Sequence, residues 1–290
     1  MVFAQLLLTA SMVFGSVLQS LKRFFLYSLA PIFYNIGIIV GAVFFVDWMG
    51  MIGLAWGVVF GAFLHLVVQV IGARNVGYSY RFSFSFKDKA TLELLRLTGP
   101  RLLGIATSQI LFLILAILAS TLVVGSVTIF QFAYNIQFFA VGIVGISFAV
   151  AVFPTLSAHA SKNRSNEFVQ TLSSTVLQVL FLMVPLTILF LVLRAQIVRV
   201  VVGAGAFDWA ATIATADTLA FFALTFIPQA LVFILARAYF ALHDTITPLV
   251  AAVVGAVVGI ISAFLFIEGF GVIGLGMAYS LASLVNATIL

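Results

Sequence analysis

The sequence predicts an all-α membrane protein, a polytopic bundle of about nine transmembrane helices. Two observations carry this reading. Hydrophobic residues make up 64% of the 290 residues and charged residues only 7%. Soluble domains are about 45–50% apolar and about 25% charged, so there are too few charges here to cover a water-facing surface. The apolar residues also fall in unbroken runs of about 20, the length a helix needs to cross the hydrocarbon core. Barrel strands would instead alternate apolar and polar residues. A helix satisfies its own backbone hydrogen bonds in lipid, and the 31 Phe residues suit contact with acyl chains.

In chain order the runs are 1–21, 25–46, 51–73, 100–124, 127–154, 172–193, 211–236, 247–267 and 271–290. Several boundaries are set by Pro or Gly, which interrupt helices or turn the chain. Pro100 and Pro154 bound the fourth and fifth spans in this way. Pro185 and Pro228 fall inside spans and are candidate kinks. Met1 leads into an apolar run without the basic flank of a cleavable signal peptide.

The basic residues set the orientation. Eleven of the 13 Lys and Arg residues flank alternate loops: Lys22 and Arg23, Arg74 to Arg101, Lys162 and Arg164, and Arg237. The other loops carry Asp47, Asp208 and Glu268, with Arg194 and Arg199 as the basic exceptions. The positive-inside bias assigns the basic side to the cytoplasm, so residue 1 starts on the outer face and Leu290 ends inside. The net charge of +5 is spread over helix ends rather than gathered in one patch, so nucleic acid is not an expected partner. Cys is absent, which excludes disulfides and thiol chemistry.

These runs divide into three spans over 1–73, a basic segment over 74–99 and six spans over 100–290. The middle segment alternates Phe82, Phe84 and Phe86 with polar residues. It reads as an interfacial linker between two helical lobes, with Lys87–Leu97 as a short amphipathic helix on the membrane surface. An internal repeat is also visible. KRFFLYSLAPIFYNIG followed by GMIGLAWG resembles RAYFALHDTITPLVAA followed by GVIGLGMA, pairing Pro31 with Pro248 and Gly53 with Gly274 across spacings of 22 and 26 residues. Both copies run the same way by the charge rule, which is a parallel repeat of the kind seen between transporter halves. The second copy is preceded by three spans and the first by none, so three further helices are expected upstream of Met1. The chain also stops within an apolar run at Leu290, so further chain is expected downstream as well.

Several motifs resemble the MurJ (MviN) lipid II flippase family of the multidrug/oligosaccharidyl-lipid/polysaccharide exporter superfamily. Arg23-Phe24 with Ala30-Pro31 and Asn35 is similar to the family's fourth and fifth helices. Thr98-Gly99-Pro100 with Ser108-Gln109 is similar to the start of the seventh, and Gly142–Ser157, ending Phe153-Pro154-Thr155-Leu156-Ser157, to the eighth. Gly205-Ala206-Phe207 resembles the outer loop before the tenth helix, and Leu235–Pro248 the turn after it. The resemblance covers the whole chain, as helices four to twelve of a fourteen-helix, two-lobe fold. It implies outward flipping of a lipid-linked pyrophosphate precursor of the cell wall, in the bacterial plasma membrane, without a cofactor. It further implies a central cavity in which Arg residues hold the pyrophosphate. The Arg of the eighth helix falls at Asn135, and a basic residue of the tenth at Phe233, so these contacts carry over only in part.

Polar residues inside spans are costly and are functional candidates by default. Gln131 and Asn135 are four residues apart and share a helix face; interhelical hydrogen bonding is the structural alternative. Gln109 and Gln229 stand in the same position. Arg101 and Arg237, at span ends on the basic side, offer guanidinium forks for phosphate, with snorkelling to the interface as the alternative. Asp217 can pair with a cation, and the Gly57/Gly61 and Gly255/Gly259 pairs suit close helix packing. Among the three His residues, at 65, 159 and 243, no catalytic or metal-binding spacing is visible. The expected partners are therefore a lipid-linked glycan and membrane lipids, with the protein acting as a monomer. A related exporter of another cargo and a non-transporting scaffold are the alternatives.

Overall fold

A computed structural model describes residues 2–78, 89–203 and 209–290. The Phe82–Phe86 alternation and the Gly205-Ala206-Phe207 motif lie outside these residues. The chain divides into two compact units, Met1–Phe84 and Ser85–Leu290. Among the described residues eight helices are long and apolar enough to span a membrane, and a bent helix pair supplies a ninth.

The first unit contains α1 (Val2–Ser20), α2 (Phe24–Val40), α3 (Val46–Met49) and α4 (Met51–Asn75). A π-helical turn, Gly41–Phe45, joins α2 to α3 in one span. Its signature is the Val46 amide, which reaches back five residues to the Gly41 carbonyl. Helices α2 and α4 cross at bare backbone. A Cβ added to Gly41 would sit 2.2 Å from the Gly57 Cα, and one added to Gly37 would sit 2.3 Å from the Gly61 Cα. The small residues expected from sequence thus form this crossing. A polar cluster ties α1 to α4, with the Ser11 hydroxyl 2.7 Å from His65 Nδ1. The Tyr34 ring stands edge-on to His65 at 6.4 Å.

The second unit begins with α5 (Lys89–Ser120), which runs through Pro100 without a break. The surface helix expected over Lys87–Leu97 is therefore, from Lys89 onward, the first turns of α5. Pro ends a helix only where its missing donor and ring cannot be accommodated, and the segment TLELLRL ahead of it is itself helix-favouring. For the same reason α7 continues past Pro154. The span that follows α5 is α6 (Ser126–Val141), a second π-helical turn at Gly142–Ile146, and α7 (Ser147–Ser161). Next come α8 (Ser165–Val192), unbroken at Pro185, and α9 (Arg194–Val202), a short helix that hydropathy does not reveal. Arg194 Nε pairs with Asp217 Oδ1 at 3.4 Å, and both side chains are partly exposed.

The seventh span is broken. Helices α10 (Trp209–Ala223) and α11 (Phe226–Ala241) meet at 44°. Pro228 has no amide to return to the Leu224 carbonyl, which loosens the helix at this point. Helices α12 (Ile246–Phe270) and α13 (Val272–Ile289) complete the unit. Its core gathers Leu111, Leu115, Phe130, Phe222, Leu275 and Tyr279 from α5, α6, α10 and α13. A second cluster around Met183, Phe226 and Ile234 joins α8 to α11.

The repeat is real, but its register differs from the one the prolines suggest. Lys22 and His243 occupy the same left-handed turn, with φ of 58° and 62°. In each, the turn residue and its successor donate to carbonyls three and five residues back, closing the helix end in a Schellman pattern. Gly50 (φ 62°, ψ −146°) and Gly271 (φ 56°, ψ −131°) make the sharp reversals at the other end, in a conformation closed to other residues. Three residues on, Gly53 and Gly274 press on the carbonyls of Phe45 and Phe266. All these pairs are 221 positions apart, so the copies align without a gap. Pro31 then matches Ala252 and Pro248 matches Tyr27. Helices tolerate Pro in several places near their starts, whereas a positive-φ reversal has one allowed position, so the glycines fix the register.

One prediction concerns the turn before α12. The Asp244 carboxylate accepts from the amides of Ile246 (2.9 Å) and Thr247 (3.0 Å) and from the Thr247 hydroxyl (2.6 Å). The Thr247 hydroxyl, followed by its amide, holds the Asp244 pKa below the ordinary carboxylate value. Asp244→Ala should cost about 1 kcal/mol, the usual value of such a cap. Because the pKa is depressed on folding, the contribution is complete above about pH 4 and is lost as pH falls through the folded value. Melting curves of the two proteins should differ at pH 7 and converge in acid; an equal gap at both would refute the cap.

Candidate functional site

Between α5, α11, α12 and α13 of the second unit lies a cleft, formed by two adjoining cavities of about 290 and 230 Å³. Ile105, Ser108, Val232, Phe233, Ala252 and Asn286 line both, so the two form one continuous space. Gln109 and Gln229 face the larger cavity; Arg101 and Arg237 face the smaller. Arg101 lies eight residues from Gln109 on α5, and Arg237 eight from Gln229 on α11. At 1.5 Å per residue, each helix therefore carries a guanidinium and a carboxamide about 12 Å apart along its axis. The cleft has a cationic end and a neutral polar end.

The cationic end lies where the chain turns from α11 to α12. The Arg101 guanidinium sits 5.0 Å from the Phe240 ring centre, and Arg237 Nη1 donates to the Phe233 carbonyl at 3.1 Å. Among the described residues no Asp or Glu lines either cavity. The nearest ion pair, His243 with Glu93 at 3.2 Å, is well exposed and worth little.

The neutral end is held by a network. Gln137 Nε2 donates to Gln229 Oε1 at 2.9 Å, and Gln229 Nε2 donates to the Tyr279 hydroxyl. Tyr279 meets Tyr134 edge-on at 5.7 Å, and Tyr134 stacks with Phe138 at 6.1 Å. Gln229 is in the first turn of α11, just past the 44° break. The break thus aims a span-centre carboxamide into the cleft, as broken helices do in transporters. Two buried oxygens here lack such support among the described residues, Gln137 Oε1 and Asn286 Oδ1, and of the two residues only Asn286 lines the cavities.

Of the six candidates read from sequence, the structure brings four together: Arg101, Gln109, Gln229 and Arg237. Gln131 and Asn135 share a face as expected, but it is the exposed face of α6, and neither lines the cleft. The opposite face, with Phe130, Ala133 and Gln137, is the buried one. Sequence reading missed Asn286, Tyr279 and Ser283. Their spacing on α13, at i, i+4 and i+7, was a readable stripe of one helix face.

A model of the family described as "Lipid II flippase MurJ" matches residues 1–290. The chain belongs to the MurJ family. Among curated relatives, a probable lipid II flippase MurJ of Borreliella burgdorferi is 29% identical over 97% of the chain and 55% of its own length. That of Vibrio cholerae is 26% identical over 95% of the chain and 53% of its own length. This MurJ-family chain thus spans about half the length of the curated relatives it matches. Solved structures agree on the fold. One titled lipid II flippase MurJ in an inward closed conformation superposes with a TM-score of 0.71 at 24% identity, over 97% of the chain and 58% of that protein. A Vibrio cholerae MATE transporter superposes with a TM-score of 0.80 at 13% identity, over 98% of the chain and 66% of that protein. The fold expected from sequence, a two-lobe flippase-like helical bundle, is therefore the MurJ and MATE architecture.

Proposed function

We propose that this chain is part of a transporter that moves a lipid-linked pyrophosphate precursor of the cell wall, lipid II or a close relative, from the cytoplasmic to the outer leaflet of a bacterial plasma membrane. The observation that carries the reading is the cleft: two arginines and no Asp or Glu side chain among the described residues at one end, neutral polar groups deeper in, all within helices of lipid-facing composition. A cationic, acid-free site favours a phosphate-bearing cargo over a cationic drug, and a polar cleft at membrane depth is too costly for a mere scaffold. Family membership supports the same reading. The basic turns would face the cytoplasm by the positive-inside bias, so the cationic end opens where the precursor is made. The protein works as a monomer, needs no cofactor and performs no bond chemistry.

The test is complementation. The gene encoding this chain, expressed in cells depleted of their own lipid II flippase, should restore growth and cell shape. Failure of a well-expressed, membrane-inserted protein would reject lipid II as cargo. A second reading, export of a different polyprenyl-linked glycan, is favoured by Asn135 and Phe233 standing where the family resemblance implies basic residues. That reading takes over if growth is not restored but labelled polyprenyl-diphosphate glycans still cross vesicles containing the protein.

A further inference from the structure

We propose that the neutral cavity is a subsite for the uncharged sugar part of the cargo, with Asn286 and Gln109 as the carboxamides that read its hydroxyl and amide groups. The proposal rests on the function above and assigns a part of the headgroup to each end of the cleft.

The unpartnered Asn286 Oδ1 is the first ground. A buried acceptor left unsatisfied is destabilising, so the site calls for a donor, and both hydroxyls and amides of a glycan supply one. The second ground is the internal repeat. At the offset of 221, Asn286 corresponds to His65, and Gly255 to Tyr34. In the first copy this place is filled: His65 is satisfied by Ser11 and covered by the Tyr34 ring. In the second copy Gly255 stands for the aromatic residue and Val232 for Ser11; Gly255 lets α12 pack closely on α13, where a Cβ would meet the Ala282 carbonyl oxygen at 2.8 Å, and with Asn286 it lines the larger cavity. The same positions hold a hydrogen-bonded, ring-covered His in one unit and line a cavity in the other.

Geometry assigns the ligand class. The guanidinium tier and the carboxamide tier are about 12 Å apart along α5 and along α11, within the span of a diphosphate bearing a sugar. The Tyr134 and Phe138 rings offer apolar faces of the kind that meet the C–H side of a sugar ring, and no Asp, Glu, Lys or Arg among the described residues lines the larger cavity, which favours an uncharged group there. Taken together the two cavities reach the size of small-molecule pockets, about 300–1,000 Å³. Gln229 and Tyr279, already bonded to each other, form a fixed wall rather than an adaptable contact.

The full protein in lipid nanodiscs can be titrated with a short-chain prenyl diphosphate and with the same prenyl diphosphate bearing one N-acetylhexosamine. The sugar-bearing ligand should bind about 10-fold more tightly, as two net hydrogen bonds would give. Asn286→Leu and Gln109→Leu should each remove most of that advantage, and Gln109→Leu, which lies outside the smaller cavity, should leave the bare diphosphate unchanged. Gln109 is exposed, so its variant tests the idea even if Asn286→Leu misfolds. Arg101→Gln should weaken both ligands alike. Equal binding of the two ligands by the unmodified protein, or an advantage that survives both Leu variants, would overturn the subsite alone. Binding of neither ligand would overturn the functional reading as well.

Discussion

Gly57→Leu should prevent the first unit from assembling. An added Cβ at residue 57 would lie 2.6 Å from the Cα of Gly41, and one at residue 41 would lie 2.2 Å from the Cα of Gly57. The obstacle is backbone on both sides, so no side chain can swing away; α2 and α4 must separate. Overpacking a tight core typically costs about 1–3 kcal/mol when side chains can adjust, and here they cannot, so the loss should exceed that range. Separation would also strip the neighbouring contacts of Gly37 with Gly61, because in lipid such packing, and not the exclusion of water, holds helices together. Gly142→Leu is the control, since a Cβ there meets nothing within 4 Å. Thermal unfolding followed by size-exclusion chromatography separates the cases. Native melting of Gly57→Leu would disprove the crossing.

The second large effect is expected at the cationic end. Replacing both Arg101 and Arg237 by Gln should lower transport by about 10²–10³-fold, since charge-assisted hydrogen bonds to phosphate are each worth about 1.5–3 kcal/mol. The pair shares one cavity, so single variants should not add simply. Lys at both positions should recover part of the activity, because charge is kept while the bidentate fork is lost. Transport is best read as surface labelling of the precursor, with the melting temperature as the check on folding. A properly folded double Gln variant that transports at the normal rate would remove these residues from the site.

Much of the fold was legible because lipid imposes a coarse code. Length and hydropathy mark a span regardless of what it packs against, and the nine spans follow from that alone. Finer features obey local forces that composition does not record. The π-helical turns at Gly41 and Gly142 and the short α9 leave no mark in hydropathy. Pro100 and Pro154 looked like ends because Pro usually is one, yet each sits inside a helix whose flanking residues favour continuation. The site was half legible. Arg101, Gln109, Gln229 and Arg237 stood out as polar groups in apolar runs and proved to share a cleft. Gln131 and Asn135 stood out by the same rule but face away. The helical period showed that they share a side; only the packing of Phe130 and Gln137 shows which side is buried. Asn286 was passed over as one amide near the end of the chain, and its isolation from any partner is visible only in three dimensions.

The gapless register of the two copies has an evolutionary consequence. Over 48 positions, from Lys22 to Gln69 and from His243 to Leu290, neither copy has gained or lost a residue relative to the other. An insertion of one residue would rotate everything beyond it by a quarter of a turn and drag the glycine reversal out of line, so length is held while side chains drift. A duplicated hairpin of this kind supplies a spare. One copy keeps Tyr34 against His65, while the other, with Gly255 and Asn286 at those positions, is free to serve as the subsite proposed above. Three side-chain exchanges, Ser11 for Val232, Tyr34 for Gly255 and His65 for Asn286, separate the two copies at this place in an inherited scaffold.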